Sequence, residues 1–290
     1  MMKFEERQFT VDGMTICAKQ WGDSGMPAIA LHGWLDNAAS FDALAQTLPE
    51  LQLLALDMAG HGLSDHKPAS GNYAIWDDLR FVMAVADQMN WPQFVLIGHS
   101  RGAIMATLLA GAIPERVSHL ICVDGFIPEP EDPAKFPEQL GRYLQDFAKA
   151  GRGDKGHPDL AAAVAARRKA TPMTEPAARL IVERGSYRDA SGRVFWRSDR
   201  RLKLASPVKL SFPQLQANMD AIRAPRLLII ADQGFGRWLP KLPEALVSKF
   251  ELRYIEGEHH CHMDEQAQQI GQWISRFIAL DAELGGGASS

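Results

Sequence analysis

The sequence predicts an α/β protein: a mostly parallel sheet with helices on both faces and an inserted helical cap. Three observations predict it. Short, wholly apolar runs alternate with helical stretches in the first half of the chain. The texture changes after Asp124, where Pro128, Pro130, Pro133 and Pro137 crowd together, and good strand-like runs return only at Arg226. A run with no polar face suits a strand covered on both sides, which is the environment of a parallel sheet.

Taken in order, Glu5 to Val11 and Thr15 to Trp21 flank Gly13 in VDGM and read as a hairpin, so the sheet should open antiparallel. Ala28 to Leu31, Leu51 to Asp57, Phe94 to Ile97 and Leu120 to Val123 supply the following strands. Phe41 to Leu48, Ile75 to Met89 and Ala103 to Ala112 supply helices between them. From Gln139 to about Arg184 the chain is rich in Ala, Leu, Arg and Lys and reads as helical, whereas Ser206 to Pro213 reads as irregular connection. The expected division is therefore a first core segment over 1–127, a cap over 128–219 and a second core segment over 220–290. Arg226 to Ala231 and Glu251 to Ile255 resume the sheet. Ile270, Trp273, Ile274, Phe277 and Ile278 recur at helical spacing in a terminal helix over Glu265 to Leu280, and the GGGASS end should fray.

Composition bounds the function. With 290 residues, 46% hydrophobic and 23% charged, the chain can bury a full core, which excludes a disordered segment, a coiled coil and a disulfide-stapled scaffold. A net charge of -4 argues against a general nucleic-acid or anionic-membrane binder, since those neutralise phosphates with excess Lys and Arg. Residues 140–210 carry +9 and the remainder -13; the excess reads as solvated helix faces in preference to a field for anionic substrates. Cys17, Cys122 and Cys261 are odd in number and far apart, which fits a reducing compartment. The opening MMKFEERQFT has acidic residues where an export signal needs basic ones, and Ala103 to Ile113 is too short to span a bilayer. A cytoplasmic protein without a membrane or nucleic-acid partner is expected. No internal repeat is visible, and no oligomeric state follows from the sequence.

The chemistry begins at Gly98-His99-Ser100-Arg101-Gly102, which joins the strand Phe94 to Ile97 to the helix-forming Ala103 to Ala112. A strand that turns this sharply into a helix strains the serine backbone and needs flanking residues without bulk, here Gly98 and Gly102. Ser100 would project as a nucleophile, and the Arg101 amide, at the helix N-terminus, could face a developing oxyanion.

With this elbow, HGW at 32–34, DMAGHGLSD at 57–65 and GEHHCHM at 257–263, the chain resembles the α/β-hydrolase fold family over nearly its whole length. HGWLDNAASF, DMAGHGLS, RSDRRLKL at 197–204 and HHCHM are similar more narrowly to its serine hydrolase-like branch. The resemblance implies an eight-stranded, mostly parallel sheet, and places the Trp34 amide opposite that of Arg101 as the second oxyanion donor. Trp34's side chain would line the pocket. His32 is read as orienting its loop through backbone hydrogen bonds, and His61 and His99 likewise as structural. Asp57 to Asp65 is similar to a family loop that braces the sheet edge.

In this fold the triad runs Ser, acid, His, so the base should follow the last strand, where His259, His260 and His262 crowd. His259 has the spacing of the family's GxH pattern; His260 and His262 would line the pocket or pack. A zinc site at the three histidines is weak, because neither HExxH nor a carboxylate pair completes it, so no metal is expected. The family's usual acid position follows the seventh strand in a GxxD pattern, but here Ala231-Asp232-Gln233-Gly234 puts glycine there. Asp124, at the end of the sixth strand, is the preferred acid and Asp232 the alternative; Asp124 could equally just cap the turn to Gly125. Serine at 100 disfavours the haloalkane dehalogenase and epoxide hydrolase chemistries, which use a carboxylate nucleophile. The expected function is cofactor-independent hydrolysis of a small ester-type substrate through an acyl-enzyme. A binding protein with little turnover, or carbon–carbon bond or lactone hydrolysis by the same triad, stand as alternatives. Trp34, Phe126 and His262 are the expected substrate-binding residues, and Phe136, Trp196, Trp238 and Leu239 could be either pocket or core.

Overall fold

A computed structural model of the chain describes residues 2–147, 155–238, 242 and 244–285; Leu239 and the last five residues of the GGGASS end lie outside them. The elements run β1 (Phe4–Val11), β2 (Met14–Trp21), β3 (Met26–Leu31), α1 (Asp42–Ala45), β4 (Leu51–Leu56), α2 (Ile75–Gln88), β5 (Phe94–His99), α3 (Arg101–Ala112) and β6 (Val117–Val123). After these come α4 (Phe136–Phe147), α5 (Leu160–Ala170), α6 (Glu175–Gly185), a short hairpin of β7 (Ser186–Arg188) and β8 (Val194–Trp196), and α7 (Phe212–Ala221). The chain closes with β9 (Arg226–Ala231), α8 (Glu244–Val247), β10 (Glu251–Ile255) and α9 (Ala267–Gly285).

Eight strands form one sheet in the order β1-β2-β4-β3-β5-β6-β9-β10. β2 pairs antiparallel with β1 and β4, and every other pairing is parallel. The opening hairpin turns through Asp12 and Gly13, both with positive φ of 51° and 76°, the geometry that matches strand twist. Neighbouring strand residues alternate between two cores, as the pleat requires. Leu54, Leu96 and Leu228 join Phe81, Met105 and Leu109 on one face; Leu53, Val95 and Ile229 join Phe41, Leu44, Ile270 and Ile274 on the other. The apolar stripe predicted on the terminal helix is thus the face of α9 that meets the sheet.

Between β6 and β9, the segment around α5, α6 and β8 has a small core of its own, built on Val164, Ala178, Ile181, Val182 and Val194. Met263, from the loop after β10, is buried in it. One boundary differs from expectation. The division at 219/220 falls inside α7, whose Leu215 and Met219 are buried in the main core, so α7 belongs to the sheet's helical cover. Proline at its second residue and a Ser211–Gln214 capping box start this helix inside what reads as a loop, Ser206 to Pro213.

The positive excess of 140–210 also finds a use besides solvation. Arg184 of α6 pairs with buried Asp57 at 2.9 Å and with Glu6 at 2.6 Å, and Arg167 of α5 pairs with buried Asp36. Cations of the inserted segment meet carboxylates of the sheet and of the loops that follow β3 and β4.

Candidate active site

Ser100 sits between β5 and α3 with φ 53° and ψ -118°, a backbone conformation that costs a non-glycine residue about 1–3 kcal/mol. The crossing is tight enough to require the flanking glycines. A Cβ on Gly98 would lie 2.4 Å from Ala103 Cα, and one on Gly102 1.9 Å from the Leu31 carbonyl oxygen. Serine is thereby pushed out of the turn, and its Oγ lies 2.8 Å from His259 Nε2.

His259 Nδ1 lies 2.5 Å from Asp124 Oδ2, so the imidazole bridges hydroxyl and carboxylate. Asp124 is fully buried. Its Oδ1 accepts from the Ala231 amide at 2.8 Å and its Oδ2 from the Phe235 amide at 2.9 Å, which replaces the water lost on burial. A Cβ on Gly234 would lie 2.1 Å from Asp124 Oδ2. The glycine where the family pattern would place its acid is therefore the space that the carboxylate of Asp124 fills. Asp232 is exposed and turned away, its Oδ1 accepting from the Gly257 amide at 2.8 Å, so the alternative acid does not reach the imidazole.

Among the described residues, neither the Trp34 nor the Arg101 amide donates to a protein acceptor. The loop that carries Trp34 is held from beneath. His32 donates from Nδ1 to the Gly33 carbonyl at 2.7 Å and accepts the Met58 amide at Nε2 at 3.1 Å, and His61 Nε2 accepts the Leu35 amide at 3.3 Å. Burial holds both imidazoles below their ordinary range, which suits neutral rings acting as donor and acceptor at once. Asp57 accepts the Ala38 and Leu63 amides at 2.8 Å each, joining the Trp34 loop to the 57–65 loop.

Two expected substrate-binding residues are placed elsewhere. Phe126 is fully buried, edge-on to Phe235 and Phe250, and belongs to the core. His262 is also fully buried, 4.1 Å from the His99 ring and 5.4 Å from Phe41, and burial keeps it well below its ordinary range. Both lie behind the site because tertiary placement, which residue type does not encode, sets depth. Trp34 is 48% exposed, its indole donating to the Leu202 carbonyl at 2.9 Å, and it lines neither the cleft at His259 nor the cavity at Arg101. Trp238, 57% exposed, shares with Phe235, Gln233 and Pro172 a cleft of about 330 Å³ that opens on His259. Phe136 is exposed, and Trp196 packs on the inserted segment's own core. A second cavity of about 300 Å³ runs from Arg101 past Trp76, Leu108 and Leu202. Cys17, Cys122 and Cys261 are buried and unpaired; burial raises each thiol, to about 11, 12 and 12.

Asp36 and Arg167 escape a sequence reading. An acid between Leu35 and Asn37 in an otherwise neutral loop is the only signal, and nothing local names its partner 131 residues away.

The comparisons with known proteins agree with this architecture. The sequence profile of the alpha/beta hydrolase fold matches residues 29–266. A Drosophila melanogaster protein named "Probable serine hydrolase" is 30% identical over 95% of this chain and 88% of its own, and human "Serine hydrolase-like protein 2" is 26% identical over 91% and 90%. Among solved structures, that of a hypothetical protein from Pseudomonas aeruginosa superimposes with a TM-score of 0.90 at 36% identity, covering 95% of this chain and 99% of that one. No helix among the described residues is long and apolar enough to cross a membrane.

Proposed function

The chain belongs to the alpha/beta hydrolase fold family, in its serine hydrolase-like branch, and from that premise we propose that it hydrolyses carboxylic esters through Ser100, His259 and Asp124. The observation that carries the reading is the unbroken line of hydrogen bonds from Ser100 Oγ through His259 to Asp124, at 2.8 and 2.5 Å, behind a serine held in a strained turn.

In this reading His259 Nε2 takes the Ser100 proton as Oγ attacks the ester carbonyl, and Asp124 keeps Nδ1 protonated so that Nε2 is free to accept. The oxyanion forms between the amides of Trp34 and Arg101, the latter at the N-terminus of α3; one such donor is worth about 3–4 kcal/mol in the transition state. His259 returns its proton to the departing alkoxide, and a water activated at the same nitrogen then cleaves the acyl-enzyme. The cleft beside His259 and the cavity beyond Arg101 offer room for the two halves of a small apolar ester.

The test is twofold. A fluorophosphonate should label the wild type and not Ser100→Ala, and short and medium-chain p-nitrophenyl esters should be turned over by the wild type with a large loss in His259→Ala. Labelling that survives Ser100→Ala, or equal trivial rates in wild type and His259→Ala, would overturn the reading.

A further inference from the structure

The loop that carries Trp34 is gripped by the inserted segment at three side chains, Trp34, Asp36 and Asn37. The Trp34 indole donates to the Leu202 carbonyl, the Asn37 amide donates to the Ile181 carbonyl at 2.8 Å, and Asp36 accepts from the guanidinium of Arg167 on α5. Asp36 is the most consequential of these, because its buried carboxylate also reaches the other parts of the site. Its Oδ2 lies 3.1 Å from His260 Nε2 and 3.6 Å from His99 Nδ1. His260 follows His259 in the chain and His99 precedes Ser100. His99 in turn donates from Nε2 to the His259 carbonyl at 2.9 Å, tying the nucleophile turn to the base loop. The carboxylate and the His99 ring both press on Gly33, where a Cβ would lie 2.6 Å from Asp36 Oδ2 and 3.0 Å from His99 Nδ1.

Building on the serine hydrolase reading, we propose that Asp36 is a positioning residue that joins α5, through Arg167, to the base loop and the Trp34 amide, so that the site is competent only with α5 seated. One carboxylate touches the turn before Ser100, the residue after His259 and the loop of the second oxyanion donor. Only its cation comes from the inserted segment. Withdrawing Arg167 leaves a buried charge between imidazoles, and the arrangement relaxes where the reacting groups are carried. Asp36, His99 and His260 also present ligand atoms within 4.8 Å of one another, a spacing that suits a metal ion. Arg167 already supplies the positive charge at this carboxylate, and a dication would sit against it.

The experiment compares wild type, Asp36→Asn, Arg167→Met and the double variant in the full chain. The readouts are the fluorophosphonate labelling rate, the melting temperature and the downfield imidazole proton of His259. Each single variant is expected to label about 10- to 100-fold more slowly, the range for small misplacements of reacting groups. The double variant removes both charges and should recover the melting temperature but not the labelling rate, and its His259 proton should remain displaced. A purely stabilising ion pair would let the double variant recover both. Recovery of the rate in the double variant, or wild-type rates in the single variants, overturns the proposal. So does labelling that a chelator abolishes and zinc restores, because a metal would then hold the carboxylate. An unlabelled wild type overturns the serine hydrolase reading itself, whereas a labelled wild type with unaffected variants overturns this inference alone.

Discussion

Two buried carboxylates flank the same pair of histidines, and they are stabilised from different parts of the molecule. Asp124 receives the amides of Ala231 and Phe235 and the imidazole of His259, all from the sheet and its edge loops. Asp36 receives a guanidinium from α5 and the imidazole of His260. Backbone amides at and just beyond the end of a strand are dipoles fixed by the main chain, so Asp124 is satisfied without the inserted segment. A side-chain cation on an inserted helix is present only when that helix is seated. If the proposed roles hold, the region behind His259 is built into the scaffold, and the region beneath the Trp34 loop depends on α5.

Substitution at Asp124 should have the largest effect and is the sharpest test of the contrast. In Asp124→Asn the amide group must place either its NH₂ against the donors of Ala231 and Phe235 or its oxygen where they point, leaving NH₂ toward His259 Nδ1 and favouring the wrong tautomer. A loss of about 10⁴ in kcat on a p-nitrophenyl ester is expected, the scale seen when a triad acid becomes an amide. A loss below about tenfold would mean that this carboxylate is not the acid.

Gly234→Ala should follow. Its Cβ would fall 2.1 Å from Asp124 Oδ2 and 3.0 Å from His259 Cα, with backbone on one side and the imidazole on the other, so the carboxylate must yield. A shift near 1 Å is expected to cost about 10²-fold in kcat, and the overpacking about 1–3 kcal/mol of stability in a denaturant titration. Wild-type kcat in this variant would show that the region behind the base is more compliant than its amides suggest.

The contrast also explains what the sequence made legible. The nucleophile turn is set by sterics within five residues, Gly98 to Gly102, and by the strand and helix on either side, so it reads locally. His259, the proposed base, follows from chain order and the family's GxH spacing once the fold is named. Asp124 and Asp232 could not be separated locally, because what decides between them is the volume at Gly234 and the direction of the Ala231 and Phe235 amides, both properties of the folded edge. Phe126 and His262 carry the residue types of a pocket wall, yet their depth is fixed by packing against Phe250 and Phe41. The Asp36–Arg167 pair was least legible, since a charge on α5 looks the same in sequence whether it faces water or a carboxylate 131 residues away. α7 was hidden by the reverse effect: Ser211 and Pro213 at its start read as a loop although Leu215 and Met219 are core.

Asp232→Asn should do least, and its smallness is informative. The side chain is exposed and, among the described residues, accepts the Gly257 amide alone, a role that the asparagine oxygen can keep. The Gln233 amide, donating to the Gly257 carbonyl at 3.1 Å, continues to hold the start of the base loop from the same side. The change in kcat/KM on the same ester is expected to stay within about threefold, roughly 0.6 kcal/mol, with stability lowered by no more than about 1 kcal/mol. Because Asp232 and Gly234 lie in one tetrapeptide, the pair of variants separates proximity in sequence from proximity to the imidazole: the neutral residue should matter far more than the charged one. A loss in Asp232→Asn that matched Asp124→Asn would reverse the assignment of the acid and, with it, the claim that the region behind His259 is complete without the Asp232 carboxylate.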